Sequence, residues 1–506
     1  MPQWTASPHS GFALLLMLIV LMGLGGMAGG RLLSDKVESV NQAKFDHDRK
    51  VLQQAREALL SYAVDYARDN KFQNIGRLPC PDRSGGIPGE GNEDGSCGVK
   101  HVNTVGYFPW KTLGVKYLID GSSECLWYVV SGGYKNNPKA DMLNEDTLGQ
   151  LKVQDETGRL FHDVDDLPIA LIIAPGSILL GQARTTAHAS MNFCKGSYDE
   201  LDYVESGVGF DYTTDHVLTE DEIWTYVFGS QLENEALNDK IVWITKDEYW
   251  DAVYKQRDLD FEVPPLGGAV IEQLTQTLAQ CLLNFLEDSN NDRNWLPWPA
   301  PVDLNDYRDD AEYIDPLAAP ASFMGRLPLD LTNSIAAEHI SFPSIISFDS
   351  ILSDDCLDPA DADPDIVDMA RLLKNWKDHF FYVVSSDFAI NGSNLDRFSR
   401  CNPGDCVEVE TIGGVSVPEK IAAIVFYASS ISGMQSRLTS PDERLDISNY
   451  LDTNPVGPNQ SNAHDYPNDV GYAGDDNVYY SDLGDLLYCI KFTGSVTPSI
   501  FVEKCI

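Results

Sequence analysis

The sequence has few basic residues for its length. Its 36 Lys and Arg are outnumbered by 77 Asp and Glu, which gives a formal net charge of −41 at pH 7. Binding to a phosphate backbone depends on clustered Lys and Arg side chains, so this composition argues against nucleic acid as a partner. An acidic surface favours solubility and attracts divalent cations instead.

Motifs of known catalytic sites are also missing. The chain has no HExxH, GxSxG, P-loop or Rossmann glycine pattern, and its 9 histidines are spread along the sequence. His188 lies near Cys194 and His379 lies near Trp376, so each either pairs with a thiol or carboxylate or occupies an ordinary surface or core position. We therefore predict that the protein is not an enzyme.

The 10 cysteines include no CxxC motif and no Cys/His group at zinc spacing. An even number of cysteines without such motifs is typical of an oxidising compartment, where disulfides persist. Three pairs lie close in the sequence and are predicted as local disulfides: Cys80–Cys97, Cys401–Cys406 and Cys489–Cys505. Elimination leaves Cys125–Cys194 and Cys281–Cys356, although spacing alone does not determine the connectivity.

One long apolar run lies near the N-terminus, over residues 11–33, with no Lys or Arg before Arg31. At ~1.5 Å per residue, a helix over this run is long enough to cross a hydrocarbon core of ~30 Å. One interpretation is a secretory signal peptide cleaved near Ala28, but residues 1–10 contain none of the basic residues that such signals have. The other interpretation is a transmembrane helix that is retained.

Gly11 and Phe12, followed by an apolar helix that continues into a polar one, resemble the processing site of type IV pilins and type II secretion pseudopilins. The resemblance implies cleavage after Gly11 by a prepilin peptidase, and methylation. It implies a single-pass anchor in the bacterial inner membrane with the C-terminal part periplasmic, and later a place in a filament or on the cell surface. Where most family members have Glu at the fifth mature position, this chain has Leu16, which resembles the large minor pseudopilin at a filament tip.

Residues 34–70 are predicted to continue this helix. Apolar or small side chains recur from Val37 to Tyr66 with spacings mostly of three and four residues, and charged residues lie between them. The glycines at positions 23–30 permit either close helix packing or local melting. Beyond them, the segments 126–131 and 169–174 are rich in Trp, Tyr, Val and Ile, which predicts strands.

The same order of segments recurs in the second half of the chain. Residues 267–287 form a second amphipathic pattern, residues 381–385 resemble 127–131, and residues 421–428 resemble 169–174. We therefore predict an internal duplication and an α+β fold class, in which a long N-terminal transmembrane/amphipathic helix precedes two tandem pilin-like modules of helix plus antiparallel sheet. The predicted divisions are a leader (1–11), a transmembrane anchor (12–33), a first module with its spine helix (34–258) and a second module (259–506).

One acidic segment resembles the beginning of an EF-type calcium loop. Asp288, Asn290 and Asp292 place side-chain oxygens at alternate positions just after the second predicted helix. Arg293 replaces the glycine of such loops and Pro299 replaces the bidentate Glu, so a polar turn is the alternative. Calcium is the candidate cofactor of the chain.

The expected function is structural. The resemblance implies a minor pilin or pseudopilin at the tip or initiation point of a type IV pilus or type II secretion filament. Its implied partners are other pilins or pseudopilins, the inner-membrane assembly platform, the prepilin peptidase and the membrane. The alternative is a membrane-anchored surface adhesin that does not polymerise. An adhesin would stack exposed aromatic side chains on sugars, and the candidates are Trp295, Trp298, Tyr479 and Tyr480, for which core packing is the favoured alternative.

Overall fold

The chain contains both α-helices and β-sheets. The computed structural model describes residues 17, 36, 38–65, 77–83, 89–155, 157–184, 193–194, 196–204, 221–228, 237–254, 268–287, 291, 293–316, 323–331, 364–390, 406–410, 420–428, 435–437, 441–450, 478–480, 486–493 and 499–505.

The helices are α1 (38–65), α2 (Lys246–Tyr254), α3 (Gly268–Glu287) and α4 (Pro364–Trp376). Helix α1 buries one stripe of side chains, spaced three or four residues apart: Val51, Leu52, Ala55, Leu59 and Ala63. These side chains pack in the same core as one face of the first sheet. Apart from the buried Asp48, the charged residues of α1 are partly or fully exposed.

The first sheet is antiparallel and has the order β1 (Thr104–Tyr107), β2 (Trp127–Val130), β4 (Pro168–Ala174) and β6 (Lys240–Thr245). Strands β3 (Leu151–Asp155) and β5 (Trp224–Phe228) form a separate parallel pair. Successive side chains of a strand point to opposite faces. In β2, Tyr128 and Val130 therefore share a core with α1, whereas Trp127 and Val129 pack with β3 and β5.

The second sheet is also antiparallel, in the order β7 (Met324–Arg326), β8 (Phe380–Val384), β10 (Lys420–Tyr427), β12 (Leu486–Thr493) and β13 (Ser499–Lys504). Strands β9 (Glu408–Glu410) and β11 (Val478–Tyr480) form a parallel pair. Helix α3 packs against β10, β12 and β13. Both sheets are therefore covered by a helix on one face, and each has a parallel strand pair beside it.

Local geometry also recurs between the two sheets. A Cβ atom on Gly106 of β1 would lie 2.6 Å from the carbonyl oxygen of Asp82, and one on Gly325 of β7 would lie 2.2 Å from that of Ala300. Both positions therefore require glycine, because the preceding segment crosses the strand at van der Waals contact. The guanidinium carbon of Arg184 lies 4.7 Å from the ring centroid of Tyr203, and Arg437 lies 4.6 Å from the ring of Tyr450.

Within the described ranges, no helix combines the length and the apolar character needed to cross a bilayer. The predicted fold class, with its transmembrane helix over residues 12–33, is therefore wrong, and so is the predicted single-pass location in the bacterial inner membrane. Of residues 12–33 only Met17 is described. Of the two longest described helices, α1 carries charged residues along its length, and α3 has one apolar face and one polar face. Neither therefore presents the continuous apolar surface that a bilayer-spanning helix needs.

Three disulfides join pairs of cysteines that are both among the described residues: Cys80–Cys97, Cys125–Cys194 and Cys489–Cys505. The prediction of disulfide bonding is confirmed by these pairs. Cys281 and Cys406 are also disulfide-bonded. Because Cys356 and Cys401 lie outside the described residues, the pairings Cys281–Cys356 and Cys401–Cys406 stay predictions.

Candidate functional site at the junction of the two sheets

The loop between β2 and β3 reaches the second sheet through Asn144, which is fully buried. Its Nδ2 atom donates to the carbonyl oxygen of Asn375 at 2.9 Å and to Oδ1 of Asp378 at 3.1 Å. Its Oδ1 atom accepts from Nη2 of Arg444 at 2.9 Å. Since a buried amide costs free energy unless it is hydrogen-bonded, this arrangement fixes the loop against the second sheet.

Asp146 of the same loop lies beside an arginine and a histidine of the second sheet region. Its Oδ2 atom lies 2.7 Å from Nε of Arg437 and 3.1 Å from Nε2 of His379. The His379 ring also makes a 2.8 Å hydrogen bond through Nδ1 to the carbonyl oxygen of Ala428. Burial opposes ionisation of Asp146, but Arg437 and His379 outweigh it and hold the pKa of this carboxyl below its usual range. The junction therefore contains a buried ion pair.

A second buried ion pair joins Asp378 and Arg444. The carboxylate accepts from Nε of Arg444 at 3.0 Å and from the hydroxyl of Tyr450 at 2.6 Å. Burial works against the charge of Asp378, yet Arg444 outweighs it and lowers the pKa of the carboxyl. Arg326 donates to the carbonyl oxygen of Asp378 at 2.7 Å and lies over the Tyr450 ring. These partners keep Asp378 ionised at neutral pH.

Glu145 completes the loop and contacts an aromatic pair. The indole Nε1 of Trp376, at the end of α4, donates to Oε2 of Glu145 at 2.8 Å. The Trp376 ring in turn lies edge-on to Trp250 of α2, with centroids 6.1 Å apart. Burial raises the pKa of Glu145, and the adjacent carboxylate of Asp146 acts in the same direction.

A small pocket, partly open to solvent, lies beside these ion pairs. Its lining comes from both halves of the chain and includes Gln150 and Asp221 from the first, and Tyr307, Arg308 and Arg444 from the second. Nη1 of Arg308 lies 2.7 Å from Oδ2 of Asp221, so another ion pair crosses the junction at the edge of the pocket. Pockets at such junctions are common binding sites.

Most residues that the sequence singled out lie outside this junction. Gly11, Phe12, Asp288, Asn290 and Asp292 are outside the described residues. In the rest of the candidate calcium loop, Asn291 donates to the carbonyl oxygens of Phe285 and Trp295, and Asn294 donates to that of Leu286, as in a polar helix-ending turn. No group of three potential metal-binding side chains occurs in the part of the chain that the structure describes.

Two of the four candidate aromatic residues, Trp295 and Trp298, are core residues. Trp295 and Trp298 are buried in the large hydrophobic core, so their side chains do not form a surface for sugars. His379, for which the sequence left several roles open, lies beside a carboxylate, that of Asp146. Sequence reasoning missed Asn144, Asp146, Asp378 and Arg444. The sequence did contain one signal, because the charged or polar residues Lys377, Asp378 and His379 come directly before a fully apolar strand. Residues of this kind at a strand end usually face solvent, so the signal favours exposure and not a buried site.

Comparison with known proteins finds no family model, no curated protein and no solved structure that matches this chain. The pilin-like resemblance therefore depends on the sequence features given above.

Proposed function

We propose that this chain is a pilin-like filament subunit of the minor, tip-type class, working in a type IV pilus or a type II secretion filament. The observation that carries the proposal is the way α1 meets its sheet. The stripe from Val51 to Ala63 is buried, whereas residues 38–43 are exposed and Val40 keeps 55% of its surface. A helix that packs on a head with one half and projects with the other is what a filament subunit needs.

The point where α1 leaves the head is held by polar contacts. The buried carboxylate of Asp48 lies 2.6 Å from Nζ of Lys240 and also accepts from the backbone N–H of Gly121. The preceding residue is His47, whose Nε2 atom makes a 3.0 Å hydrogen bond with the carbonyl oxygen of Ile119. These contacts fix the direction of the projecting half, which supports a role in ordered packing with neighbouring helices.

The repeated geometry supports an internal duplication, with pilin-like modules over residues 34–258 and 259–506. Both sheets have the same core order of strands, and Gly106 and Gly325 occupy matching positions. The buried ion pairs of the junction then join two heads into one bulky unit. Such a unit suits the tip of a filament, because a shaft subunit must leave room for neighbours on every side. The Leu16 departure from the family pattern is consistent with this place.

The proposed partners are other pilin-like subunits, which would contact the exposed half of α1, and a prepilin peptidase, which would act between Gly11 and Phe12. A surface-binding protein that does not polymerise is the second candidate function. The observation in its favour is the small pocket lined by residues from both halves of the chain. A single subunit is able to have both properties, since α1 and the pocket use different residues.

The test is deletion of the gene in its native cells, followed by complementation. The proposal predicts that deletion reduces the number of filaments or the amount of secreted protein, and that gold-labelled antibody marks filament ends. A Val40→Asp variant should fail to complement, because it puts a charge on the exposed face of α1. Val164→Asp is the matched control, since Val164 is 64% exposed on the head. Normal filaments and secretion after deletion would refute the proposal.

A further inference from the structure

Three aromatic side chains of the first half of the chain contact one another at the surface. They are Trp110, Tyr117 and Phe193, and the centroids of their rings lie 5.2, 5.6 and 6.1 Å apart. Phe193 keeps 48% of its surface exposed and Tyr117 keeps 43%. Single exposed apolar side chains are ordinary, whereas aromatic rings exposed side by side indicate a binding surface. We call these three residues the aromatic cluster.

Two features hold the aromatic cluster in place. The backbone N–H of Phe193 donates to Oε1 and Oε2 of the buried Glu90 at 3.0 and 3.1 Å, and Cys194 next to it is disulfide-bonded. The indole of Trp110 packs on Gly91, where a Cβ atom would lie 2.3 Å from Cε2 of the ring. Both positions are therefore anchored before any ligand arrives, which lowers the entropy cost of binding.

Hydrogen-bonding groups with unused capacity border the aromatic cluster. Nζ of Lys111 lies 4.7 Å from the centroid of the Trp110 ring and 6.0 Å from that of Phe193, and it donates to the carbonyl oxygen of Glu90. An ammonium group has three N–H donors, so two remain for water or a ligand. The hydroxyl of Tyr117 makes no hydrogen bond with any residue that the structure describes. The surface therefore combines exposed rings with a donor and a hydroxyl beside them.

The size of the exposed surface indicates the kind of ligand. An aromatic side chain has a surface of about 200 Å², so Tyr117 and Phe193 together expose about 200 Å². A stable protein–protein interface buries about 800 Å² on each partner, which is several times more. A sugar ring matches the smaller area. Its C–H groups form an apolar face that stacks on aromatic rings, and its hydroxyl groups lie at the rim, within reach of polar groups such as Lys111.

We propose that the aromatic cluster binds a pyranose ring of a glycan. The C–H face of the sugar lies on the exposed rings of Tyr117 and Phe193, and its hydroxyl groups bond to Lys111 and to the hydroxyl of Tyr117. The sequence suggested sugar stacking at Trp295 and Trp298, which are buried, whereas these exposed rings lie elsewhere in the chain. Sugar binding here goes beyond the filament proposal and does not depend on it, because it involves neither α1 nor assembly.

The experiment is saturation-transfer difference NMR on the purified full chain with cellobiose, lactose and N,N′-diacetylchitobiose, followed by calorimetric titration. Irradiation of the aromatic protons of the protein transfers magnetisation to the ligand protons that contact the rings. The proposal predicts that at least one disaccharide binds, with the strongest transfer to the C–H protons on one face of a sugar ring. Sorbitol is the matched control, since it has the hydroxyl groups of a hexose without the ring, and it should bind at least tenfold more weakly.

Three variants assign the binding to the aromatic cluster. Tyr117→Ala and Phe193→Ala each remove one exposed ring and should weaken sugar binding at least fivefold. Tyr117→Phe keeps the ring and removes only the hydroxyl, so it should weaken binding less than Tyr117→Ala does. The control is Phe161→Ala, because Phe161 is 41% exposed and contacts Trp243 of β6 instead. The control should bind as the parent does, and thermal unfolding checks that each variant is folded.

Three results would overturn the proposal. The first is the absence of binding by every disaccharide at ~10 mM, a concentration that corresponds to a very weak interaction. The second is unchanged binding in either Tyr117→Ala or Phe193→Ala, or equal binding of sorbitol. The third is self-association of the parent chain in analytical ultracentrifugation that both alanine variants abolish, because the aromatic cluster would then be a contact between copies of the chain.

Discussion

Nε of Arg437 lies 2.7 Å from Oδ2 of Asp146, which pairs a cation of the second sheet region with an anion of the loop after β2. Both side chains are almost completely buried, with 0% and 5% of their surfaces exposed. A buried ion pair contributes little compared with a well-packed apolar contact, but removing one partner is costly. The junction therefore specifies which surfaces of the two halves meet.

Replacing Asp146 by Ala tests this ion pair. The change takes the carboxylate away from Arg437 and His379 in a buried site, so we expect the free energy of unfolding to fall by about 3–5 kcal/mol. The control is Asp141→Ala, because Asp141 and Lys100 form a pair with both side chains more than 40% exposed. Exposed pairs contribute about 1 kcal/mol or less. Equal losses for the two variants in urea unfolding would contradict a buried, specific junction.

Glu145→Gln should change stability in the opposite direction at neutral pH. Burial raises the pKa of Glu145, so the folded state binds the proton more tightly and loses stability as pH rises above the unfolded value of about 4.3. Gln keeps an acceptor for Nε1 of Trp376 and does not titrate. The variant should therefore be more stable than the parent at pH 8, with a smaller difference at pH 5. A larger difference at pH 5 would show that the charge of Glu145 stabilises the fold.

Asp378 should have the reverse dependence on pH. Arg444 lowers its pKa in spite of burial, so its contribution to stability is complete above the unfolded pKa of about 4 and is lost as pH falls through the lower folded value. Asp378→Asn should destabilise the protein most above pH ~4 and progressively less below it. The measurement is the urea midpoint from pH 2 to pH 7, with the exposed Asp163→Asn as control. A constant difference across this range would contradict an ionised Asp378.

The three described disulfides should contribute unequally. Cys125–Cys194 spans 69 residues, whereas Cys80–Cys97 spans 17. In the chain-entropy model, the longer loop restricts the unfolded chain more, by about 1 kcal/mol for these lengths. Replacing both cysteines of the Cys125 pair by Ser should therefore lower the free energy of unfolding more than the same change in the Cys80 pair. Equal losses would indicate that strain or residual structure outweighs loop length.

Local elements of the fold were predictable because their signals are local. The apolar spacing over residues 267–287 corresponds to α3, and the segment 169–174 corresponds to β4, since periodicity and β-branched residues act within a few neighbours. The junction was not predictable, because Asn144 and Arg444 come from loops 300 residues apart and meet only in the folded chain. Loop residues such as Asn144 ordinarily face solvent.

The predicted transmembrane helix shows a different limit of sequence reasoning. By hydropathy, the run over residues 12–33 is long and apolar enough for a transmembrane helix. No helix among the described residues is both long enough and apolar enough to cross a bilayer. The candidate aromatic residues illustrate a related point. The sequence left Trp295 and Trp298 open between a sugar-binding surface and core packing, and both side chains are buried in the large hydrophobic core. Burial of a single residue depends on neighbours that are distant in sequence.

The N-terminal sequence of the protein isolated from its native cells tests the pilin-like proposal most directly. Cleavage by a prepilin peptidase between Gly11 and Phe12 predicts a mature chain whose first residue is Phe12. A mature chain that begins near Arg31, as after removal of a secretory signal, or an uncut chain that begins at Met1, would contradict the proposal.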